Sequence, residues 1–452
     1  MSSQGRSRIR WLLIFWLFLL SAISFLDRVN ISIAGSSLAE EYHLSQVRLG
    51  WVFSAFLLGY ALFQTPGGWL VDRFGPRRVL AGGVVWWGVF TALTAALPTK
   101  IAGAVGIFIL VRFLLGAGEA IMYPSTNQFV SQWIPSQERG VANGLIFAGV
   151  GAGAGTAPAF VTFLMLRYGW RSSFWVSALL GLAAGVVWYW IARDKPEQHP
   201  QVNQSELSFI QNNRTQTFVL ESGPQTSARQ DENATRHRSF WPTILTNRSV
   251  LAVTASYFSF GYVAWIFFSW FYIYLAKVRG LDLKSSAFYS TLPPLAIVAC
   301  SLGGGAINDL LSRSYGKRIG RCGVAFVALI LAAGFLVLGS RAASPSVASV
   351  VLSGGAGALY LAQSSYWSVT ADIAGESAGS VSGFMNMGAQ LGGALTASLT
   401  PAIAQHYGWT SSFLVAAVLS VAGGFAWLLV DPNRHLMAAA KNRPLIGDEY
   451  EA

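Results

Sequence analysis

The sequence predicts an all-α membrane protein in which twelve transmembrane helices form two pseudo-symmetric six-helix bundles. Three observations predict it. Only 11% of the 452 residues are charged and 53% are hydrophobic, whereas a soluble domain carries about 25% charged residues. Twelve apolar stretches are each long enough to cross a bilayer. Finally, Tyr168-Gly-Trp-Arg-Ser-Ser-Phe174 returns in the second half as Tyr407-Gly-Trp-Thr-Ser-Ser-Phe413, which is the mark of a duplicated unit.

The elements follow in order. Arg6, Arg8 and Arg10 precede an apolar run from Trp11. The run resembles a signal peptide, but no small-residue cleavage site follows; it meets Asp27-Arg28-Val29-Asn30 and continues to Ala34, so it reads as an uncleaved first span. Hydropathy places the spans at 11–33, 47–70, 79–98, 101–123, 141–164, 173–193, 249–274, 286–307, 322–340, 346–368, 380–404 and 410–430. Backbone groups in lipid must be satisfied within the segment, so each span is a helix.

An even number of spans puts both termini on one side. The loops after spans 2 and 8 hold Arg73, Arg77 and Arg78, then Arg313, Lys317, Arg318 and Arg321, while the loops after spans 3 and 11 are nearly free of Lys and Arg. That asymmetry predicts cytoplasmic termini. It also accounts for the net charge of +11 without nucleic acid. The expected organisation is an N-terminal bundle (1–193), a polar and unstructured cytoplasmic linker (194–246), a C-terminal bundle (247–431) and a cytoplasmic tail (432–452). Asn213, Asn233 and Asn247 begin glycosylation-like triplets, which this topology makes chance matches. Cys300 and Cys322 imply no disulfide framework.

Outside the span ends, four charged residues lie at membrane depth: Asp27, Arg28, Arg112 and Glu119. The interiors of spans 7 to 12 hold none. A charge in the hydrocarbon core costs at least about 2.5–3.5 kcal/mol, so such residues face the protein interior or a water-filled path. Arg112 and Glu119 stand about two helical turns apart on one face. They could form a structural ion pair, or an anion site beside a proton site. No histidine sits mid-span, so a proton carrier would be Asp27 or Glu119. The four charges cancel when all are ionised. Protonating both carboxylates leaves up to two positive charges for an anion, which an arginine can hold bidentately. Sharing one arginine couples the two events.

Gly68-x-x-x-Asp72-Arg73-x-Gly75-x-Arg77-Arg78 resembles the loop signature of the major facilitator superfamily. Physically it reads as a gating loop, with Asp72 accepting from a neighbouring helix N-terminus and the arginines pairing across to the next bundle. A weaker echo runs from Gly305 through Asp309 to Arg313. Asp27-Arg28-Val29-Asn30, Phe53-Ser-Ala-Phe56 with Tyr60, Gln64-x-Pro-Gly-Gly-Trp69, Arg112 with Glu119, and Trp133-Ile-Pro-x-x-Glu138-Arg139 are together similar to the anion:cation symporter branch, which includes bacterial galactonate, hexuronate and glucarate transporters and the sialin-like organic anion transporters.

The resemblance implies a major facilitator fold in a cell inner (plasma) membrane and proton-coupled uptake of a small organic anion, such as a hexuronate, aldonate or aldarate. It implies proton uptake by Asp27 and Glu119, and substrate binding by Arg28, Tyr60 and Arg112, with Ser368 and Asn386 from the second half. The position where galactonate relatives carry a substrate-binding Gln is Val150 here.

Read from the residues alone, Gln363, Ser364, Ser365 and Ser368, and the pair Asn386 and Gln390 on one face of span 11, suit a polyol chain. Interhelical hydrogen bonding is the alternative, as packing is for Tyr60. The aromatic run Trp265–Tyr272 either walls a cavity or packs, and Gly149–Gly155 with Gly392-Gly393 permit close helix approach, static or sliding. No phosphate loop, metal-ligand cluster or nucleophile arrangement is present. The protein is therefore expected to be no enzyme, to need no cofactor or metal, to draw on the proton gradient, and to act as a monomer in the lipid bilayer. The other readings are an exporter of drug-like compounds and a non-transporting membrane ligand sensor.

Overall fold

A computed structural model of the chain describes residues 6–44, 46–99, 103–219 and 240–436. Asn233, the middle of the expected linker and residues 437–452 of the expected tail lie outside the described residues.

The first half comprises α1 (Ile9–Glu41), α2 (Gln46–Phe74), α3 (Pro76–Ala96), α4 (Ala104–Glu119), α5 (Met122–Trp133), α6 (Arg139–Tyr168) and α7 (Trp170–Ile191). Helices α4 and α5 are one crossing, loosened by a turn at Ala120–Ile121, so the fourth span runs ten residues past its expected end at 123. A further helix, α8 (Gln204–Val219), follows. The second half comprises α9 (Arg248–Ser269), α10 (Leu292–Tyr315), α11 (Val324–Arg341), α12 (Pro345–Leu361), α13 (Gln363–Ala374), α14 (Ala378–Tyr407) and α15 (Trp409–Ala426).

The stretch Pro345–Tyr407 is apolar and helical over 63 residues. As one helix it would reach about 95 Å, three bilayer cores. Gly375, at φ 54° and ψ −112°, breaks it and folds it back. It therefore supplies two spans, bringing the total among the described residues to twelve. Pro66, Pro158 and Pro401 lie inside α2, α6 and α14, which membrane helices tolerate when neighbours take up the freed carbonyls.

Two details show the internal symmetry. Gly169 and Gly408, in the repeated Tyr-Gly-Trp motif, turn α6 into α7 and α14 into α15 at φ 79° and 83°, a region open to glycine at little cost. The motif then diverges: Arg171 donates to the Glu41 carboxylate at 2.5 and 2.7 Å and, with Trp170, pins the end of α1, holding the Glu41 carboxyl below its ordinary range. Thr410 stands at the matching place.

The halves meet along two helix pairs, α2 with α14 and α6 with α10. Each crossing brings backbones together. A Cβ on Gly68 would lie 2.7 Å from the Gly379 carbonyl carbon, and one on Gly140 2.7 Å from the Gly305 carbonyl oxygen. Only glycine permits that approach.

We call the side bearing Arg8 and Asp431 the terminal face. The linker is not featureless there. Glu206 of α8 is fully buried and accepts from Ser7 Oγ at 2.5 Å and Arg10 Nη1 at 2.7 Å, while Arg10 Nε donates to Glu138 at 3.0 Å. Composition hid this, because α8 carries no apolar stripe and is held by one buried carboxylate. Asn247 caps α9 by accepting from the Val250 amide at 3.1 Å, and Cys300 and Cys322 are unpaired.

Candidate functional site

Between the halves lies a cavity of about 180 Å³. Its walls come from α1 (Phe25, Arg28), α2 (Tyr60), α6 (Phe147, Val150), α9 (Trp265, Phe268), α12 and α13 (Tyr360, Gln363, Trp367) and α14 (Asn386, Gln390), with Tyr123 and Tyr257 at its floor. Half of the lining is aromatic.

Arg28 is the charge in this lining. Its guanidinium lies 4.2 Å from the Tyr60 ring centroid and 4.7 Å from that of Phe25, a planar cation held between aromatic faces. Its Nε donates to Glu119 Oε1 at 2.7 Å. Ser24 Oγ donates to the same oxygen. Glu119 is 1% exposed, and its Oε2 has no partner. Arg28 Nη2 and the Tyr60 hydroxyl are likewise buried and unpaired. Each unmet buried polar group costs about 1–3 kcal/mol.

Asp27 points the other way on α1. Thr91 Oγ1 donates to its Oδ2 at 2.6 Å, and Oδ1 is unpaired. It lies within Coulombic reach of Glu119, Arg112 and Arg28. Arg112 is 2% exposed and stacks over Phe56 at 5.0 Å. The structure thus brings the four mid-membrane charges into one cluster but pairs Glu119 with Arg28 and not with Arg112. Of the four, Arg28 alone reaches the cavity wall among the described residues.

In the second half, Asn386 Nδ2 donates to Gln64 Oε1 at 3.0 Å across the two halves, and Gln363 Nε2 donates to the Tyr257 hydroxyl at 2.8 Å. Gln390 Oε1 is buried and unpaired. Ser368 is not brought to the cavity: it is fully buried and accepts from Asn143 Nδ2 at 3.2 Å. Val150 does line the cavity, as do Trp265 and Phe268 of the aromatic run.

On the terminal-face side of the cavity the halves are locked. Asp72, at the end of α2, accepts from the Gly379 and Ser380 amides at 2.9 and 2.8 Å, at the start of α14. Asp309, at the end of α10, accepts from the Gly140 and Val141 amides at 2.8 and 2.7 Å, at the start of α6. Each carboxylate sits on the positive end of a helix dipole. The arginines of the first loop do not pair across. Arg77 bonds Tyr189 O at 2.9 Å and Arg73 stacks over Trp69, both in their own half, and Arg78 is exposed. The bridging cations are instead Arg139, whose Nη1 is 2.5 Å from Asp372, and Arg313, which donates to Gln137 O at 2.9 Å.

Asp372 is 2% exposed and is shared by Arg139, Arg321 and, at 3.8 Å, Lys317. Sequence reasoning missed it, because hydropathy ends the tenth span at 368 whereas α13 continues to Ala374. The buried charges of the second half lie at this gate and not at mid-depth. Among the described residues no group of three or more His, Cys, Asp or Glu side chains is placed to hold a metal ion.

Comparison with known proteins now settles the family. The sequence profile of the Major Facilitator Superfamily matches residues 17–397, and again 316–446. The chain belongs to the major facilitator superfamily. Its relatives in the superfamily include a probable sulfoacetate transporter of Cupriavidus necator, 30% identical over 95% of each chain. A probable galactarate/D-glucarate transporter of Bacillus subtilis is 32% identical over 68% of this chain and 66% of its own. A probable galactarate/D-glucarate transporter of Escherichia coli K12 is 30% identical over 67% of each. The same superfamily fold is seen in the proton:xylose symporter XylE bound to 6-bromo-6-deoxy-D-glucose, with a TM-score of 0.75 at 15% identity, covering 95% of this chain and 98% of that one. The protein is thus a membrane transporter and not an enzyme, and these relatives are named as probable transporters of anions.

Proposed function

We propose that the protein is a proton-coupled symporter that takes up a small organic anion, a sugar acid, by alternating access across a cell inner membrane. The observation that carries the reading is the Arg28–Glu119 pair at the cavity wall. While Glu119 is ionised it neutralises Arg28. When Glu119 takes a proton, the guanidinium at the cavity wall is left with its charge and with an Nη2 that has no hydrogen-bond partner. A substrate carboxylate then replaces the protein's own. Proton and anion are thereby coupled through one arginine. Asp27 and Arg112, within Coulombic reach, set the field behind it.

The terminal face carries the arginine-rich loops and takes the cytoplasm by charge asymmetry. Asp72, Asp309 and Asp372 lock that side; taken as the cytoplasmic side, it is the one to be closed for substrate capture from outside. Gln363, Asn386 and Gln390 offer amides for hydroxyl groups. Similarity to transporters named for galactarate/D-glucarate supports the substrate class.

The test is uptake of radiolabelled galactonate, glucuronate, galacturonate, glucarate and sulfoacetate into proteoliposomes under an inward proton gradient. Accumulation of a sugar acid that collapses with a protonophore establishes the reading. Uptake of sulfoacetate alone, or of none by folded protein, overturns it.

A further inference from the structure

Among the described residues the lining of the cavity carries one cation and no second one to pair with another negative charge. Arg28 is the only charged residue among the described residues that line it. Arg112 stacks against Phe56 and is absent from the lining, and Arg321, the buried arginine of the second half among the described residues, is paired with Asp309 on the terminal-face side. The second half contributes Trp265, Phe268 and Trp367 to the lining, together with the amides of Gln363 and Gln390. Both amide oxygens are buried and unpaired.

Those amides discriminate by protonation chemistry. A hydroxyl both donates and accepts, so it fits an amide by either edge. A carboxylate only accepts, so it is matched by the N–H edge alone and repelled by the C=O edge. It also brings a full charge against aromatic faces, where an unpaired ion is costly. Val150 adds another apolar surface to the same cavity.

We infer that the cavity selects a monoanionic polyol acid, bound with its one carboxylate on Arg28 and its hydroxyl end on Gln363 and Gln390, and discriminates against the dianion of the same skeleton oxidised at both ends. This rests on the sugar-acid reading above and narrows it. It sets the chain apart from the relatives named for galactarate/D-glucarate.

Two matched pairs test it: gluconate against glucarate, and galactonate against galactarate. Within each pair the stereochemistry is shared and only C6 changes, from hydroxymethyl to carboxylate. Full-length protein in proteoliposomes, at subsaturating substrate and a fixed inward proton gradient, is expected to take up the monoacid of at least one pair about tenfold or more faster than its diacid, a difference of about 1.4 kcal/mol. Gln390→Arg, which supplies the missing cation, is expected to move the ratio toward the diacid by a similar factor, with folding checked by size-exclusion profile. If there is uptake but in neither pair the monoacid is taken up faster than its diacid, the inference is overturned and the sugar-acid reading is left intact. Uptake of none of the four overturns both. If Gln390→Arg fails to fold, the wild-type ratio still decides.

Discussion

Glu119 gives one carboxylate oxygen to Arg28, 2.7 Å from its Nε, and keeps the other buried without a hydrogen-bond partner. The free oxygen is where a proton can land without first breaking the pair, and the bonded oxygen is where an incoming anion competes. On the proposed symport reading, protonation falls on the free oxygen of Glu119, while the substrate competes with the bonded oxygen for Arg28.

Replacing Glu119 with Gln keeps an acceptor for Arg28 and Ser24 but cannot take a proton. Accumulation against a gradient is expected to fall to simple equilibration, while exchange of labelled for unlabelled substrate across the membrane persists. Retained proton-driven accumulation in Glu119→Gln would move the coupling role to Asp27.

Arg28→Lys retains the charge and loses the planar fork and the stacking on Tyr60 and Phe25. Cation–π contact of a desolvated arginine contributes about 0.5–2 kcal/mol and bidentate bonding adds to it. The apparent KM for the transported anion is expected to rise about tenfold or more. An unchanged KM would show that the anion does not sit on this residue.

Asp372→Asn removes the shared counter-charge of Arg139 and Arg321. Leaving buried cations unpaired costs about 3–5 kcal/mol. The midpoint of thermal unfolding in detergent is expected to drop, and a cysteine placed on the terminal-face loops is expected to label faster. A variant as stable and as protected as the wild type would show that the gate is held by Asp72 and Asp309 alone.

Gly68→Val places a branched side chain against the Gly379 backbone, where even a Cβ lies 2.7 Å from its carbonyl carbon. The crossing of α2 and α14 cannot close, so the terminal face is expected to stay ajar and transport to be lost with the protein still folded. Paramagnetic distance measurement between labels on the α2–α3 and α14 ends reads this out, and unaltered distances would count against it.

Glu206→Ala removes the anchor of α8. A buried charge-assisted bond contributes about 1.5–3 kcal/mol, so amide exchange across the first turns of α8 is expected to quicken by about tenfold or more while the spans remain protected. Unchanged exchange would show that Phe209, stacked under Arg6 and Arg10, holds the helix instead.

Much of the architecture was legible because lipid imposes a single rule on every span, and a repeated Tyr-Gly-Trp turn reports duplication directly. The four mid-membrane charges were legible for the same reason: nothing cheap explains a charge in hydrocarbon. What escaped was pairing and depth. Helix periodicity puts Arg112 and Glu119 on one face, but two turns separate them along the axis, and Arg28 on the neighbouring α1 comes nearer. Asp372 escaped because hydropathy averages over a window and cuts a helix where its polar, gate-facing end begins. Helix α8 escaped because one buried carboxylate carries no periodic signal.

The two aspartate clamps have a statistical consequence. Asp72 ties the first half to the second, and Asp309 ties the second to the first. A passage on the terminal face needs both broken together, so its chance in the empty carrier is the product of two small fractions and not either one alone. Slippage, the loss of protons or substrate without a completed cycle, is suppressed by that multiplication, and a defect in one clamp would show first as leak and only later as lost uptake.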